Sequence, residues 1–479
     1  VTNLFFQRHF TLRLLENYHN KRLPMKRLPI LLALMAAVLF GAPPGAIAIR
    51  NARVIPVSGP AIAKGTVVLR DGLIEAVGAD VAVPADAWVI EGDGLTVYPG
   101  LIDALSTFGL PEAAPAAGGA GGRGGTQQPT QQPAATPAQP ANPPARGPED
   151  RPFTTSWLKA ADLVKPSDRR LESVRAEGFT TAVTFPNHGI FAGQGAIVNL
   201  AGETSGEMVV AEGAGQYVTF STTPGFGGGF PNSLMGVLAY VRQVYLDADH
   251  YRRAKQFYAA HSRGTPRPEF DRALEGVLES SRVLLPATRR VDVDRLLRFA
   301  NELHVEALLY GLPEGYRSAD LLKNAAATAL VSLKWPERAK ESDPEEPDSL
   351  RVLQIRDHAP STPAVLARSG VRFALYSGGI DKRADLFKAV KRAIDAGLAP
   401  EDALRAMTLT PAEIYGVADR LGSIEKGKIA NLVITKGDLF VDKTEVKYVF
   451  VDGVKFEPVE EPPPARPGAP EASNPGENQ

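Results

Sequence analysis

The 479-residue chain contains no cysteine, which excludes disulfides, thiolate metal ligands, a cysteine nucleophile and a lipidated cysteine. Histidine is nearly as scarce, at 7 residues. Beyond residue 48 there remain His188, His250, His261, His304 and His358, and no two of them stand at His-x-His or His-x₃-His spacing. A metal centre built on closely spaced imidazoles is therefore not encoded. Neither sign of charge is in excess, since Lys+Arg and Asp+Glu number 53 and 54. Without a global field, nucleic acid is not expected as a partner. The sequence also lacks a G-x-S-x-G elbow, a P-loop and an H-E-x-x-H pair. Gly225-Phe226-Gly227-Gly228-Gly229-Phe230 is glycine-rich but has no lysine, and reads as a loop.

What is abundant is apolar: 44% of residues are hydrophobic and 22% charged, enough for one large core and a smaller one. Near the N-terminus, Met25-Lys26-Arg27 precedes the apolar run Leu28 to Phe40 and the small residues Ala46-Ile47-Ala48. A basic start, a short apolar stretch and an A-x-A site make a signal peptide over 25–48 and predict a periplasmic or secreted protein, with no membrane association after cleavage. Residues 1–24 read as an upstream segment preceding the true start at Met25.

From Ile49 to Tyr98 the pattern is β-rich. Asp71-Gly72 separates two strand-like runs as a type I′ hairpin turn, and Asp452-Gly453 does the same near the other end. The two β-rich ends, 49–98 and 422–456, are expected to build one small β-sandwich. Between them, helical and strand patterns alternate as in a parallel α/β architecture. Strands are expected at Thr180–Phe185, Val305–Tyr310, Ala329–Leu333 and Val371–Tyr376, and a helix at Leu386–Ala396. Ser167 is expected to cap a helix, and Thr410-Pro411-Ala412-Glu413 to form a capping box. Two stretches offer almost nothing to bury: 111–150, rich in Ala, Gly, Gln and Pro, and the Pro- and Glu-rich tail 457–479. Both are expected to be disordered.

Pro99-Gly100-Leu101-Ile102-Asp103-Ala104 closes the β module and opens the larger domain. It resembles the segment that leads amidohydrolase-superfamily proteins into their first barrel strand. Leu421-Gly422-Ser423-Ile424-Glu425-Lys426-Gly427-Lys428-Ile429-Ala430 resembles their return to the β module. Gly178 to Val183, Ile190 to Ala196, Ser233-Leu234-Met235-Gly236 and Ala359-Pro360-Ser361 are similar to an imidazolonepropionase-like subgroup. The resemblance implies a (β/α)₈ TIM-like barrel over 99–421, joined to the β-sandwich of both ends. It also implies hydrolysis of carbon-nitrogen bonds other than peptide bonds, by a water bound to zinc or another divalent metal.

Where the family places its first His-x-His pair, this chain has Leu105 and Thr107, and where it places an aspartate after the last strand the alignment falls on Gly378. Ligands implied for two middle strands fall around Ala287-Thr288 and Tyr310-Gly311. With these positions substituted, no metal or other cofactor is expected. A metal-independent hydrolase would need an acid and a base at the barrel mouth, for which His188, His358 and Asp381 are the candidates. Each also has a simpler reading. His188 lies in the turn sequence Pro186-Asn187-His188-Gly189, His358 is a loop neighbour of Asp357, and Asp381-Lys382-Arg383 reads as an exposed helix start. Two functions stay open: a hydrolase in keeping with the family, or an inactive barrel that binds a small molecule or pairs with an active homologous subunit.

Overall fold

The computed structural model describes residues 45–111, 151–220, 230–338, 347–380, 383–441 and 444–458, with Asp343 and Glu345. Strands β1 (Ala46–Val54), β2 (Ile62–Arg70), β3 (Leu73–Gly78), β4 (Ala87–Glu91) and β5 (Thr96–Pro99) come from the start of this span. They share an 8-stranded sheet with β14 (Leu432–Lys436), β15 (Glu445–Val451) and β16 (Val454–Phe456), in the order β16-β15-β14-β5-β1-β2-β3 with β4 beside β1. The two ends of the chain meet where β14 runs antiparallel to β5. The paired turns fold as their residues demand: Asp71 and Gly72 have φ of 50° and 76°, Asp452 and Gly453 of 52° and 76°. Positive φ at both central positions is what a type I′ turn requires.

The second sheet is a nearly closed barrel of 8 strands: β6 (Leu101–Ser106), β7 (Phe179–Thr184), β8 (Phe191–Asn199), β9 (Val209–Val218), β10 (Arg282–Ala287), β11 (Glu306–Gly311), β12 (Thr328–Ser332) and β13 (Phe373–Tyr376). Helices cross over between most of them, including Leu234–Ala260, Arg290–Leu303 and Thr362–Ser369. The expected strands and the helix near Leu386 are present, the latter at Arg383–Asp395.

One strand departs from a regular (β/α)₈ barrel. β8 is antiparallel to both β7 and β9. Only residues 185–190 link β7 to β8, and a parallel return needs about a dozen residues or more, so the link forces a reversal.

Ile102, Ala104, Val183, Leu284, Leu308, Leu330 and Ala374 face the barrel interior, and Ala412, Ile414, Tyr415 and Leu421 pack in among them. The layer between strands and surrounding helices is a separate, larger apolar core that includes Leu285, Leu309, Val331, Val293, Leu296 and Leu366. A polar joint ties sheet to barrel: Asn431 Nδ2 donates to Thr181 Oγ1 at 3.0 Å and to Asn199 Oδ1 at 2.8 Å.

Two cap expectations are corrected. The first helix of the barrel region after residue 165 runs Arg170–Ala176 and is not capped by Ser167; Asp168 Oδ1 accepts from Arg170 N at 2.9 Å instead. The late helix spans Leu409–Ile414, so Thr410 lies inside it and no capping box forms. Glu413 is drawn away to Arg405 at 2.7 Å, and Thr408 Oγ1 donates to Leu404 O.

Residues 112–150, 459–479 and 1–44 lie outside the described residues, and with them most of the expected disordered segments and signal peptide.

Candidate functional site

The C-terminal ends of the strands, where barrel proteins of this architecture place their sites, surround a hollow of ≈ 420 Å³. Leu105 and Ser106 come from the end of β6, Phe185 follows β7, and Tyr217 lies near the end of β9. Tyr310, Ser332 and Tyr376 come from the ends of β11, β12 and β13. Thr107, Phe108, Asn187 and the turn Ser377-Gly378-Gly379-Ile380 complete the rim with Arg170.

The walls are aromatic. Tyr217 and Tyr310 stack with ring centroids 5.2 Å apart and planes at 30°. Phe185 stands 5.6 Å from Tyr217. The Tyr310 hydroxyl donates to Val218 O at 3.2 Å. Burial pushes the phenols of Tyr217, Tyr310 and Tyr376 up from their ordinary value, so all three are neutral at physiological pH.

Arg170 is the one cation among the described residues of the lining, and its charge is spent locally. It pairs with Asp168 at 2.8 Å, and its guanidinium also donates to Thr107 Oγ1, Thr107 O and Leu110 O at 3.1, 2.9 and 2.9 Å. Thr107, one of the two positions where the family resemblance implies an imidazole, is thereby an acceptor for a guanidinium.

Just below the hollow lies Asp103, fully buried in β6. Its Oδ2 accepts from Ser377 Oγ at 2.6 Å and its Oδ1 from Ser377 N at 3.1 Å. Burial pushes this carboxyl up to about 6, against the opposing pull of those hydrogen bonds. Sequence reasoning quoted Asp103 only as part of a motif. Its signal was available: a carboxylate within an apolar strand needs a partner.

Leu105 lines the hollow as a buried apolar side chain. Gly378 lines it with φ of 66°, and a Cβ there would come within 2.3 Å of Ser332 Oγ. Position 378 is thus shaped for glycine on both counts. His188 is exposed in the β7–β8 turn and does not line the hollow, although its neighbour Asn187 does. His358 ends the helix Leu350–His358 with its side chain exposed, 3.8 Å from Asp357 and with its ring 5.3 Å from Tyr316. It too stands apart from the hollow. Asp381 lies outside the described residues. The structure therefore does not bring His188 and His358 together at the mouth.

A divalent ion needs several imidazoles or carboxylates converging on one point. Among the described residues no group of three or more His, Asp and Glu is so placed. Among the described residues the lining offers phenols and hydroxyls, with one buried carboxylate beneath it already held by Ser377, a donor set that does not fit such an ion.

Comparison with known proteins agrees with this architecture. Residues 296–455 match the model of the amidohydrolase family. The crystal structure of an amidohydrolase from Thermotoga maritima is 25% identical, superposes with a TM-score of 0.67, and is matched over 86% of this chain and 100% of that one. A second solved structure, described as an uncharacterized protein, is 15% identical with a TM-score of 0.51 over 86% of this chain and 100% of that chain, and shows the fold alone. Adenine deaminase of Moorella thermoacetica is 39% identical over 64 residues, so the chain spans only 10% of that curated relative's length and the match covers 13% of this chain. Residues 296–455 are thus similar to the amidohydrolase family, and the chain shares the barrel fold of the Thermotoga maritima amidohydrolase.

Proposed function

We propose that this chain is an exported barrel protein of amidohydrolase descent that binds a small molecule at its mouth without metal-dependent hydrolysis. The observation that carries the reading is the lining itself. Leu105, Thr107, Tyr310 and Gly378 stand where the family resemblance implies ligands, and they form a snug aromatic wall, a guanidinium acceptor and a tight turn. A water without a metal keeps a pKa of about 15.7 rather than about 7, so no hydroxide is available near neutral pH. Among the described residues, the lining holds no histidine that could serve as general base in its place.

The second reading is a hydrolase of carbon-nitrogen bonds, favoured by the family match over residues 296–455 and by the short likeness to an adenine deaminase. Pairing with an active homologous subunit is compatible with the first reading. The experiment that separates the two is an activity screen of the purified chain on cyclic amides and N-acyl amino acids, with Zn²⁺ or Mn²⁺ added and then chelated. The proposal expects no turnover above background in either state; chelator-sensitive turnover would establish the hydrolase reading.

A further inference from the structure

Among its described residues the mouth hollow presents the aromatic rings of Phe108, Phe185, Tyr217, Tyr310 and Tyr376 against the guanidinium of Arg170. That guanidinium already holds Asp168 and three oxygens of the Thr107–Leu110 turn, and it lies 5.7 Å from the centre of the Phe108 ring. Among the described residues of the lining, an anionic ligand would meet no cation that is not already paired, with the Asp103 carboxylate below, and a cationic ligand would meet no carboxylate and a positive charge on the rim. Burying either ion unpaired is costly. A neutral molecule meets neither penalty.

Shape selects further. The Tyr217 and Tyr310 planes are only 30° apart, and Phe185 leans on Tyr217 at 37°. These faces suit offset stacking of another flat ring. At ≈ 420 Å³ the hollow lies at the small end of ligand pockets, which run from about 300 to 1,000 Å³. Polar groups are sparse: Asn187 on the rim and Ser332 at the end of β12, whose Oγ also accepts from Lys334 N at 3.2 Å, can meet one hydrogen-bonding edge, whereas the Ser377 hydroxyl is taken by Asp103.

Resting on the reading of the mouth as a ligand site, we infer that it takes an uncharged molecule carrying a single planar aromatic ring with one polar edge. The ring lies against Tyr217, Tyr310 and Phe185, and the edge faces Ser332 and Asn187. Discrimination is by ring face and by charge, so carboxylate-bearing compounds are rejected.

An isosteric series tests this on the full-length mature chain by ligand-observed NMR titration. Benzamide is the neutral ring, benzamidine its cation, benzoate its anion and cyclohexanecarboxamide the neutral shape without a π face. Benzamide is expected to bind saturably and about tenfold more tightly than each of the others, in keeping with stacking worth about 0.5–1.5 kcal/mol per ring pair. Tyr310→Leu should weaken benzamide several-fold, and Tyr310→Phe should not. The four-compound selectivity is read on the unaltered chain, so it stands even where a variant fails to fold. Equal or tighter binding of benzoate, benzamidine or cyclohexanecarboxamide, still competed by benzamide, would overturn the inferred ligand class and leave the mouth as a binding site. No saturable binding by any of the four would overturn the ligand-site reading together with the class.

Discussion

Asp103 in the first barrel strand accepts a hydrogen bond from the hydroxyl of Ser377, just past the last strand, at 2.6 Å. Ladder bonds run from β13 through to β6, but no ladder joins β6 to β13. The side chain of Asp103 thus bridges the seam, taking both the hydroxyl and the backbone N–H of Ser377. The same seam is held from within by Tyr415, whose hydroxyl donates to Ala104 O at 2.7 Å, and by Ile102 N donating to Met407 O at 2.7 Å. These bonds tie the first strand to the residues that follow the last one, from the start of the strand at Ile102 to Ala104 near the mouth.

The first prediction concerns pH. Burial raises the Asp103 carboxyl from 3.8 to about 6 in the folded chain. Between those values the folded state binds a proton that the unfolded state has released, so this group's contribution to stability is full below about pH 4 and is lost as pH rises through about 6. At about 1.4 kcal/mol per unit, the loss is roughly 3 kcal/mol. Asp103→Asn removes the titration. In urea unfolding, the stability of the native chain relative to this variant should fall between pH 4 and 7. A constant difference across that range would contradict the assignment.

The second prediction concerns the seam. Tyr415→Phe leaves Ala104 O without its partner in a fully buried setting, and Ser377→Ala leaves Asp103 Oδ2 without its closest donor. Each should cost about 1–3 kcal/mol, read as a shift of the urea midpoint with the slope unchanged. A loss below about 0.5 kcal/mol for both would show that the seam closes by other means.

The third prediction concerns reversion. Gly378→Asp forces a side chain into the left-handed region and toward Ser332 Oγ, 2.3 Å from the Cβ position. It should destabilise by about 1–3 kcal/mol. Ser332→Gly should recover part of that loss by making room, while the strain of positive φ remains. Thermal unfolding of the single and double variants measures both terms; a neutral single substitution would mean that the turn relaxes freely.

Much of the fold is readable from local chemistry. Asp71-Gly72 and Asp452-Gly453 specify their turns because aspartate and glycine both tolerate the positive φ that the two central positions take. The strands around Thr180, Val305 and Phe373 follow from continuous apolar runs, which need two covered faces. The reversed β8 is less legible, because Phe191–Asn199 looks like any buried strand and its direction is set by the short link before it. The capping box expected at Thr410 is absent for a tertiary reason, since Glu413 pairs with Arg405, and the cap expected of Ser167 is taken by Asp168 one residue later. At the site, Leu105, Thr107 and Gly378 could be singled out from the sequence, but the tyrosine wall could not. Tyr217, Tyr310 and Tyr376 are far apart in sequence and meet only because their strands end on one face of the barrel.

A fourth prediction places the mature N-terminus. Ala46, Ile47 and Ala48 are the opening residues of β1, with Ile47 paired to both Leu69 and Trp88. Cleavage after Ala48 would strip paired residues from the sheet, so export processing is expected at or before Ala46, earlier than the A-x-A site alone suggests. N-terminal sequencing of the protein from a periplasmic or secreted fraction checks this. A mature chain beginning at Ile49 would count against it.

The central claim is that the mouth binds without a catalytic metal, and elemental analysis tests it most directly. The chain would be expressed with Zn²⁺ and Mn²⁺ supplied in excess, purified, dialysed and assayed for bound metal per polypeptide. The account predicts well under one equivalent of any divalent transition metal. One tightly held equivalent that is lost from the Asp103→Asn variant would contradict it, because the ion would then sit at the barrel mouth.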